Sequence, residues 1–285
     1  MKNSGVEFEL GYRKQIGDFK ISANGNFSTL KNTVTNIGQD RKYLDGPRIQ
    51  SGQFPLTRSE VGSSFNAFYG FQTDGIFQNQ GEIDAYVGAD GSKIQPDAVP
   101  GDFRWKDLNN DGTITEKDRK YLGKPLPDYS YGITINLEYK NFDITAFGQG
   151  VGGNQIFQGL RRLDMLNSNW QTAALNRWTG EGTSNTFPRL STIDRNQNFS
   201  KPSNFYLQDG DYFRIKLIQI GYSIPSDIIS KAGLAKTRIY VTGENLFTFT
   251  KYTGYDPEIG GDVMGIDRGY YPQAKSFMIG CNLAF

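Results

Sequence analysis

The sequence predicts an all-β chain: one wall of an antiparallel transmembrane β-barrel, carrying long loops on a single side. Three observations carry that expectation. Seven segments alternate apolar and polar residues one by one, the period at which a strand turns successive side chains to opposite faces. Phe (20), Tyr (16) and Gly (34) are abundant among the 285 residues, yet mean hydropathy is −0.54, the balance of half-apolar strands joined by polar loops. No run approaches the roughly 20 apolar residues that a membrane-spanning helix needs.

In the first strand, Val6, Phe8, Leu10 and Tyr12 oppose Glu7 and Glu9. A short turn at Gly17-Asp18 leads to the second, where Phe19, Ile21, Ala23, Gly25 and Phe27 oppose Lys20, Ser22, Asn24 and Asn26. The third sets Tyr131, Ile133, Ile135, Leu137 and Tyr139 against Thr134, Asn136 and Glu138. After a tight turn at Lys140-Asn141, the fourth sets Phe142, Ile144 and Ala146 against Asp143, Thr145 and Gln149. The fifth starts with Phe213 and Ile215, then slips phase to Ile218, Ile220 and Tyr222. That slip places a β-bulge near Lys216-Leu217. Ile239, Val241, Phe247 and Phe249 mark the sixth strand.

In the seventh, Phe277, Ile279, Cys281, Leu283 and Phe285 face one way, while Ser276, Met278, Gly280, Asn282 and Ala284 face the other. An aromatic residue at the last position of a full-length strand suits the sealing strand of a membrane barrel, which cannot leave a backbone edge open to lipid.

The connections alternate in length. They are short after the first and third strands and moderate at Pro225–Lys236, but long over roughly 36–126, 155–204 and 251–273. Outer-membrane barrels pair short periplasmic turns with long extracellular loops. On that assignment the seventh strand runs downward and Phe285 lies at the periplasmic side. Loops this long are abnormal in a compact soluble domain. The same alternation would serve a soluble β-sandwich with large insertions, because polar-in and apolar-in strands read alike. Glu7, Glu9, Lys20, Glu138, Asp143, Arg238 and Glu244 share the polar face. Barrels of about eight strands fill their interior with side chains, whereas about 22 enclose a lumen wide enough for a plug. Seven strands therefore read as a section of a larger wall.

Composition excludes several functions. Lys plus Arg is 31 against Asp plus Glu 30, and the net charge of +1 gives no pull towards nucleic acid. Histidine is absent, which removes the His-dependent nucleophile arrangements and His-ligated zinc or iron. Cys281 lies on the apolar face and reads as a small hydrophobe. No signal segment stands at Met1, so the chain reads either as cytosolic or as lacking its beginning.

One stretch carries metal chemistry. Asp107, Asn109 and Asp111 occupy positions 1, 3 and 5 of an EF-hand-like calcium loop spanning 107–118. Gly112 at position 6 allows the sharp turn, and the Thr113 carbonyl at 7 and Thr115 at 9 add oxygens. Ile114 at 8 would pin the loop, and Asp118 closes it at position 12, where Glu is usual. The expected cofactor is Ca2+ in a structural role that ties down the 36–126 loop; an Asx-rich turn without metal is the plainer alternative.

Other features are plainer. Gly148, Gly150, Gly152 and Gly153 lie late in a strand entering a loop, with no helix start to make a phosphate site. Residues 160–166, with Trp170, Leu175 and Trp178, suggest short helices packed among the loops. Tyr255-Asp256-Pro257-Glu258 suggests an extracellular turn, and Tyr212, Tyr222, Tyr240 and Tyr252 suggest interfacial aromatic girdles.

Nine stretches, in order along the chain, together carry a family resemblance: Gly5–Arg13, Ile16–Lys20, Gly101–Gly112 (GDFRWKDLNNDG), Gly123–Pro127 followed by Tyr129, Leu137–Asp143, Asn176–Gly180, Leu217–Tyr222, Gly243–Thr248 and Lys251–Glu258 (KYTGYDPE). They resemble the carboxy-terminal barrel region of SusC/RagA-type TonB-dependent transporters of Bacteroidota outer membranes, over nearly the whole chain. The resemblance implies energised import of an oligosaccharide or peptide, with a SusD-like lipoprotein as extracellular lid and the TonB–ExbB–ExbD system pulling on a plug. The signal peptide, TonB box, plug and early strands have no counterpart after Met1, so the chain reads as a fragment or truncated product. No catalytic residues are expected. Two rivals remain: a barrel with an adhesive or structural role, and a hydrolase using Glu7, Glu9 or Asp143.

Overall fold

The computed structural model describes residues 1–38, 40–48, 54–165, 167–230, 233–259 and 264–285. All seven expected strands form, as one antiparallel sheet in which each strand pairs with its neighbours in sequence. They are β1 (Glu7–Ile16), β2 (Phe19–Thr29), β3 (Tyr129–Tyr139), β4 (Phe142–Gly152), β5 (Tyr212–Ile224), β6 (Lys236–Thr250) and β7 (Ser276–Ala284). β1 and β7 are the two edges, so the sheet is an open arc of wall. The two-residue turns work because Gly17 and Lys140 adopt φ of 60° and 53°, the left-handed conformation that tight hairpins demand. The bulge falls where the phase slip puts it: Phe147 pairs with Leu217 and Gly148 with Ile215, leaving Lys216 over. Opposite it, β6 inserts Asn245 and Leu246, with Asn245 at φ 53°.

Register settles which residues share a face. Outward, Tyr131 lies beside Phe27 on β2 and Gly150 on β4, and Gly150 beside Phe213 on β5. The apolar face so formed is uncovered. Leu10 is 77% exposed, Ile279 82% and Phe277 78%. A soluble sandwich would bury this face against a second layer; among the described residues no such layer exists, and the sandwich reading fails.

Two aromatic tiers bound that face. Near the loops, rings stack from Phe27 through Tyr129 and Tyr131 to Phe213 and Phe249, with Tyr131 and Phe213 parallel within 3° at 5.8 Å. Gly148, Gly150 and Gly152 belong to this tier, at the loop end of β4 as expected. A Cβ on Gly150 would come within 2.6 Å of the Tyr131 ring, and one on Gly152 within 2.3 Å of Tyr129. At the turn end, Phe142 packs on Tyr222 at 4.7 Å. Tyr131 and Tyr139, one in each tier, are eight residues apart on β3, about 27 Å along the strand. Tilted as barrel strands are, that spans roughly 20 Å of height, close to the apolar band of about 25 Å that such barrels present. Of the four tyrosines expected in girdles, only Tyr222 faces out. Tyr212 and Tyr240 fall on the inward phase, and Tyr252 is buried under the loops, donating to Asp267 at 2.5 Å.

The long connections build a separate loop head. A four-stranded sheet (Tyr43–Asp45, Thr57–Glu60, Ala67–Phe71, Arg119–Gly123) forms within the first connection. Gln155–Gln158 joins the second to the third, pairing antiparallel with Leu207–Asp209 and parallel with Ile266–Asp267. The core lies here: Trp105, Phe68, Phe71, Phe77, Phe103 and Phe199 are each at most 2% exposed. The 160–165 stretch forms no helix, and Leu166 lies outside the described residues; a 3-10 turn occurs at Thr172–Asn176. Trp170 packs on Phe199 at 4.6 Å and Trp178 donates to Gln78 at 3.2 Å, so these side chains do pack among the loops.

Candidate functional site

The inward face of the wall carries a polar ladder in three hydrogen-bonded groups. Lys20 of β2 pairs with Glu138 of β3 at 3.0 Å. Asn136 donates to Ser22 at 3.2 Å and accepts from Thr145 of β4 at 2.9 Å. Arg238 of β6 reaches across β5 to donate to Asp143 of β4 at 2.9 and 2.5 Å, and to Gln219 at 2.9 Å. Gly221 makes the crossing possible, since a Cβ there would sit 2.4 Å from the guanidinium. Gln219 passes the ladder on to Thr242 at 2.9 Å. The carboxylates weighed for hydrolysis do not converge: Asp143 is held by Arg238, and β4 stands three strands from β1, so Asp143 lies more than about 14 Å from Glu7 and Glu9, beyond the spacing of working carboxylate pairs.

Where the wall meets the head, the β5 bulge anchors the third connection. Arg214, 2% exposed, donates to Asp256, to Glu258 at 2.8 Å and to Thr248 at 2.8 Å. Lys216, the bulged residue, pairs with Glu258 at 2.6 Å. Asp256 also accepts the backbone N–H of Gln273 at 2.8 Å. The Tyr255–Glu258 turn is thus a strap bound to the wall by two cations and two carboxylates, a balance that lets the charges be buried.

Inside the head, a buried amide network joins the first connection to the second. Gln95 donates to Asn196 at 2.7 Å and accepts from the Trp105 N–H at 2.7 Å. Asn198 accepts from the Phe103 N–H at 2.9 Å and donates to Asp102 at 2.8 Å, and Asp102 holds Arg189 at 2.7 Å. Sequence reasoning missed these residues, because isolated amides in long loops carry no periodic signal. Lys201 was missed for the same reason. It is 9% exposed, with its ammonium 5.1 Å from the Phe71 ring and 5.2 Å from that of Trp105. Burial pushes it down to about 8, against the pull of Asp194 and Asp118.

All six expected metal-loop residues lie in one compact turn. Asp107 accepts the Gly112 N–H at 2.8 Å through Oδ2, while its Oδ1 is buried with no partner among the described residues. Asn109 accepts the Asp111 N–H at 3.0 Å, and Asp111 accepts the Thr113 N–H at 3.1 Å and its hydroxyl at 2.8 Å. Those bonds, the Thr113 hydroxyl first, hold the Asp111 carboxyl below the usual range. Gly112 takes φ 80°, and Ile114 packs on the Phe71–Trp105 cluster. Asp118, fully buried, receives the N–H groups of Leu108 at 2.9 Å and Thr115 at 2.7 Å. Thr115 caps the short 3-10 turn that follows, accepting the Lys117 N–H at 3.3 Å. Among the described residues no three acidic side chains converge on one point. Any ligand set here draws also on the Asn109 amide and the Thr113 carbonyl.

No family model matches the chain. Two TonB-dependent receptors of Formosa agariphila, P3 and P26, are 31% and 29% identical to it, and SusC of Bacteroides thetaiotaomicron is 25% identical, each along 100% of this chain. The chain spans 26–29% of the length of these relatives. Among solved structures, the RagAB peptide importer in its open-open state superposes on 99% of the chain with a TM-score of 0.74 at 20% identity, the chain covering 28% of it. A second structure, of the RagAB peptide transporter, gives 0.74 at 21% identity, with 29% of it covered. That likeness accounts for the open arc as part of a larger barrel, and in sequence the chain is similar along its whole length to TonB-dependent receptors, SusC among them.

Proposed function

We propose that this chain is the wall-and-loop section of an outer-membrane importer for oligosaccharides or peptides. It works with a SusD-like surface lipoprotein as lid and draws energy from the TonB–ExbB–ExbD system through a plug. One observation carries the reading: an uncovered apolar face backs a polar ladder, in a chain similar from end to end to TonB-dependent receptors. Lipid takes the first face and a wide lumen the second. The wall's role is passive, and no residue is assigned to catalysis. Intact cells making the protein should take up labelled oligosaccharide or peptide pools, and uptake should stop when the proton-motive force is collapsed. Cargo held at the surface, indifferent to that collapse, would point to an adhesive barrel instead.

The same reading assigns one structural calcium ion to 107–118, through Asp107, Asn109, Asp111, the Thr113 carbonyl, Thr115 and Asp118. The orphaned Asp107 Oδ1 supports it, as does an all-oxygen donor set, which suits a hard cation. The hydrogen bonds to Asp111 and Asp118 leave lone pairs on each carboxylate. The ion would fasten the turn between Phe103–Trp105 and Arg119–Gly123. Calcium should raise the Tm of the protein, and Asp107→Asn or Asp111→Asn should abolish that rise; unchanged calcium affinity in either variant refutes the assignment.

A further inference from the structure

Lys201 belongs to the second long connection, yet it sits against both ends of a turn in the first. Trp105, two residues before Asp107, forms one wall of its cage. Phe71, the other wall, is the strand partner of Arg119, the residue directly after Asp118. The cage therefore spans the entry and exit of the 107–118 turn. The ammonium makes no hydrogen bond or ion pair among the described residues, and it lies within electrostatic reach of Asp194 and Asp118. In the same turn, Asp107 Oδ1 is buried with no hydrogen-bond partner among the described residues. A buried cation without an ion-pair partner is unfavourable and gives way to an apolar side chain readily. A cage of two aromatic rings is well suited to an apolar occupant. The position nevertheless holds lysine.

We propose that Lys201 is an electrostatic attenuator of the 107–118 cation loop, a caged positive charge between the two ends of the turn that holds its affinity for divalent cations down. The inference rests on the calcium reading of that loop and adds a residue to it. The charge acts through a dry, aromatic-lined region, where screening by water and salt is weak. Lys117 supplies the contrast. It is closer in sequence, 4.0 Å from Asp111, but its side chain is 77% exposed, so solvent screens it. Burial rather than proximity in sequence decides which lysine matters.

The test uses the whole protein in detergent and terbium ion as probe, because Trp105 is placed to sensitise terbium luminescence; calcium is then titrated as competitor. Lys201→Met should bind terbium and calcium about tenfold more tightly than the parent, equivalent to about 1.4 kcal/mol. Lys201→Arg, which keeps the charge, should match the parent, and Lys117→Met should change affinity less than about twofold. Binding by Lys201→Met equal to the parent overturns the attenuator while leaving the calcium loop intact. Absence of terbium and calcium binding in both proteins overturns the calcium reading and the attenuator with it. Circular dichroism and Tm confirm that each variant folds, and Lys201→Met is expected to be the more stable of the two.

Discussion

In the wall, the largest apolar side chains are among the most exposed in the molecule; in the loop head, they are the most buried. Leu10 and Ile279 stand open while Trp105 and Phe68 are 1% exposed. Both regions obey the same drive to remove apolar surface from water. The wall meets it with lipid, so each strand needs only one apolar face and a correct register. The head has no lipid, so it folds inward around aromatic clusters and needs amides such as Gln95, Asn196 and Asn198 to satisfy the backbone it buries. Polar groups differ in the same way. The wall lines them up facing a lumen, and the head encloses them.

The contrast can be broken at single sites. Trp105→Ala should cost about 3–5 kcal/mol of head stability, the range for truncating a large buried aromatic. Thermal unfolding followed by circular dichroism should show the head melting earlier while the wall signal holds. Simultaneous loss of both would mean that wall and head form one cooperative unit. A smaller effect tests the wall alone. Ala23 faces out and its neighbour Asn24 faces in, midway along β2. In a bilayer Ala23→Arg should cost about 2–4 kcal/mol and Asn24→Arg less than about 1, read from urea titration of vesicle-inserted protein. Equal costs would show that the outward face is not the lipid face.

The wall was legible because its signal is local. Alternation in Tyr131–Tyr139 and in Phe277–Phe285 states a strand and its two faces together, and the phase slip after Ile215 located the bulge. The face of each tyrosine was lost when aromatic character was weighed above parity. Tyr212 and Tyr240 sit at even positions, opposite in phase to Phe213 and Ile239, and counting would have turned them inward. The head was not legible, because its contacts join residues about a hundred positions apart, as Gln95 to Asn196 does. The Tyr255–Glu258 strap was seen only as a turn, since Arg214 and Lys216, which hold it, lie across a register shift. The metal loop was visible as spacing. Its buried neighbour Lys201 was not, because a lone lysine in a loop ordinarily faces water.

The smallest effect concerns that lysine and the direction in which pH moves head stability. Its ordinary value is 10.5, which the unfolded chain keeps, and burial lowers it to about 8 in the folded head. Below pH 8 the side chain is charged in both states, and the folded head carries the full penalty of an enclosed ammonium, opposed in part by Asp194 and Asp118. Between 8 and 10.5 the unfolded chain binds a proton that the folded head does not, so stability rises with pH. The rise cannot exceed about 1.4 kcal/mol per pH unit from one group. Thermal scans from pH 7.5 to 9.5 should therefore show the head gaining on the order of 1–2 kcal/mol relative to Lys201→Met, whose dependence over that window is flat at this site. The wall should not follow, because no lysine is enclosed between its strands in this way. A head that loses stability over the same range, or a variant that keeps the parent slope, would mean that Lys201 is solvated and that the contrast between enclosed and lumen-facing polar groups fails at the residue where it is sharpest.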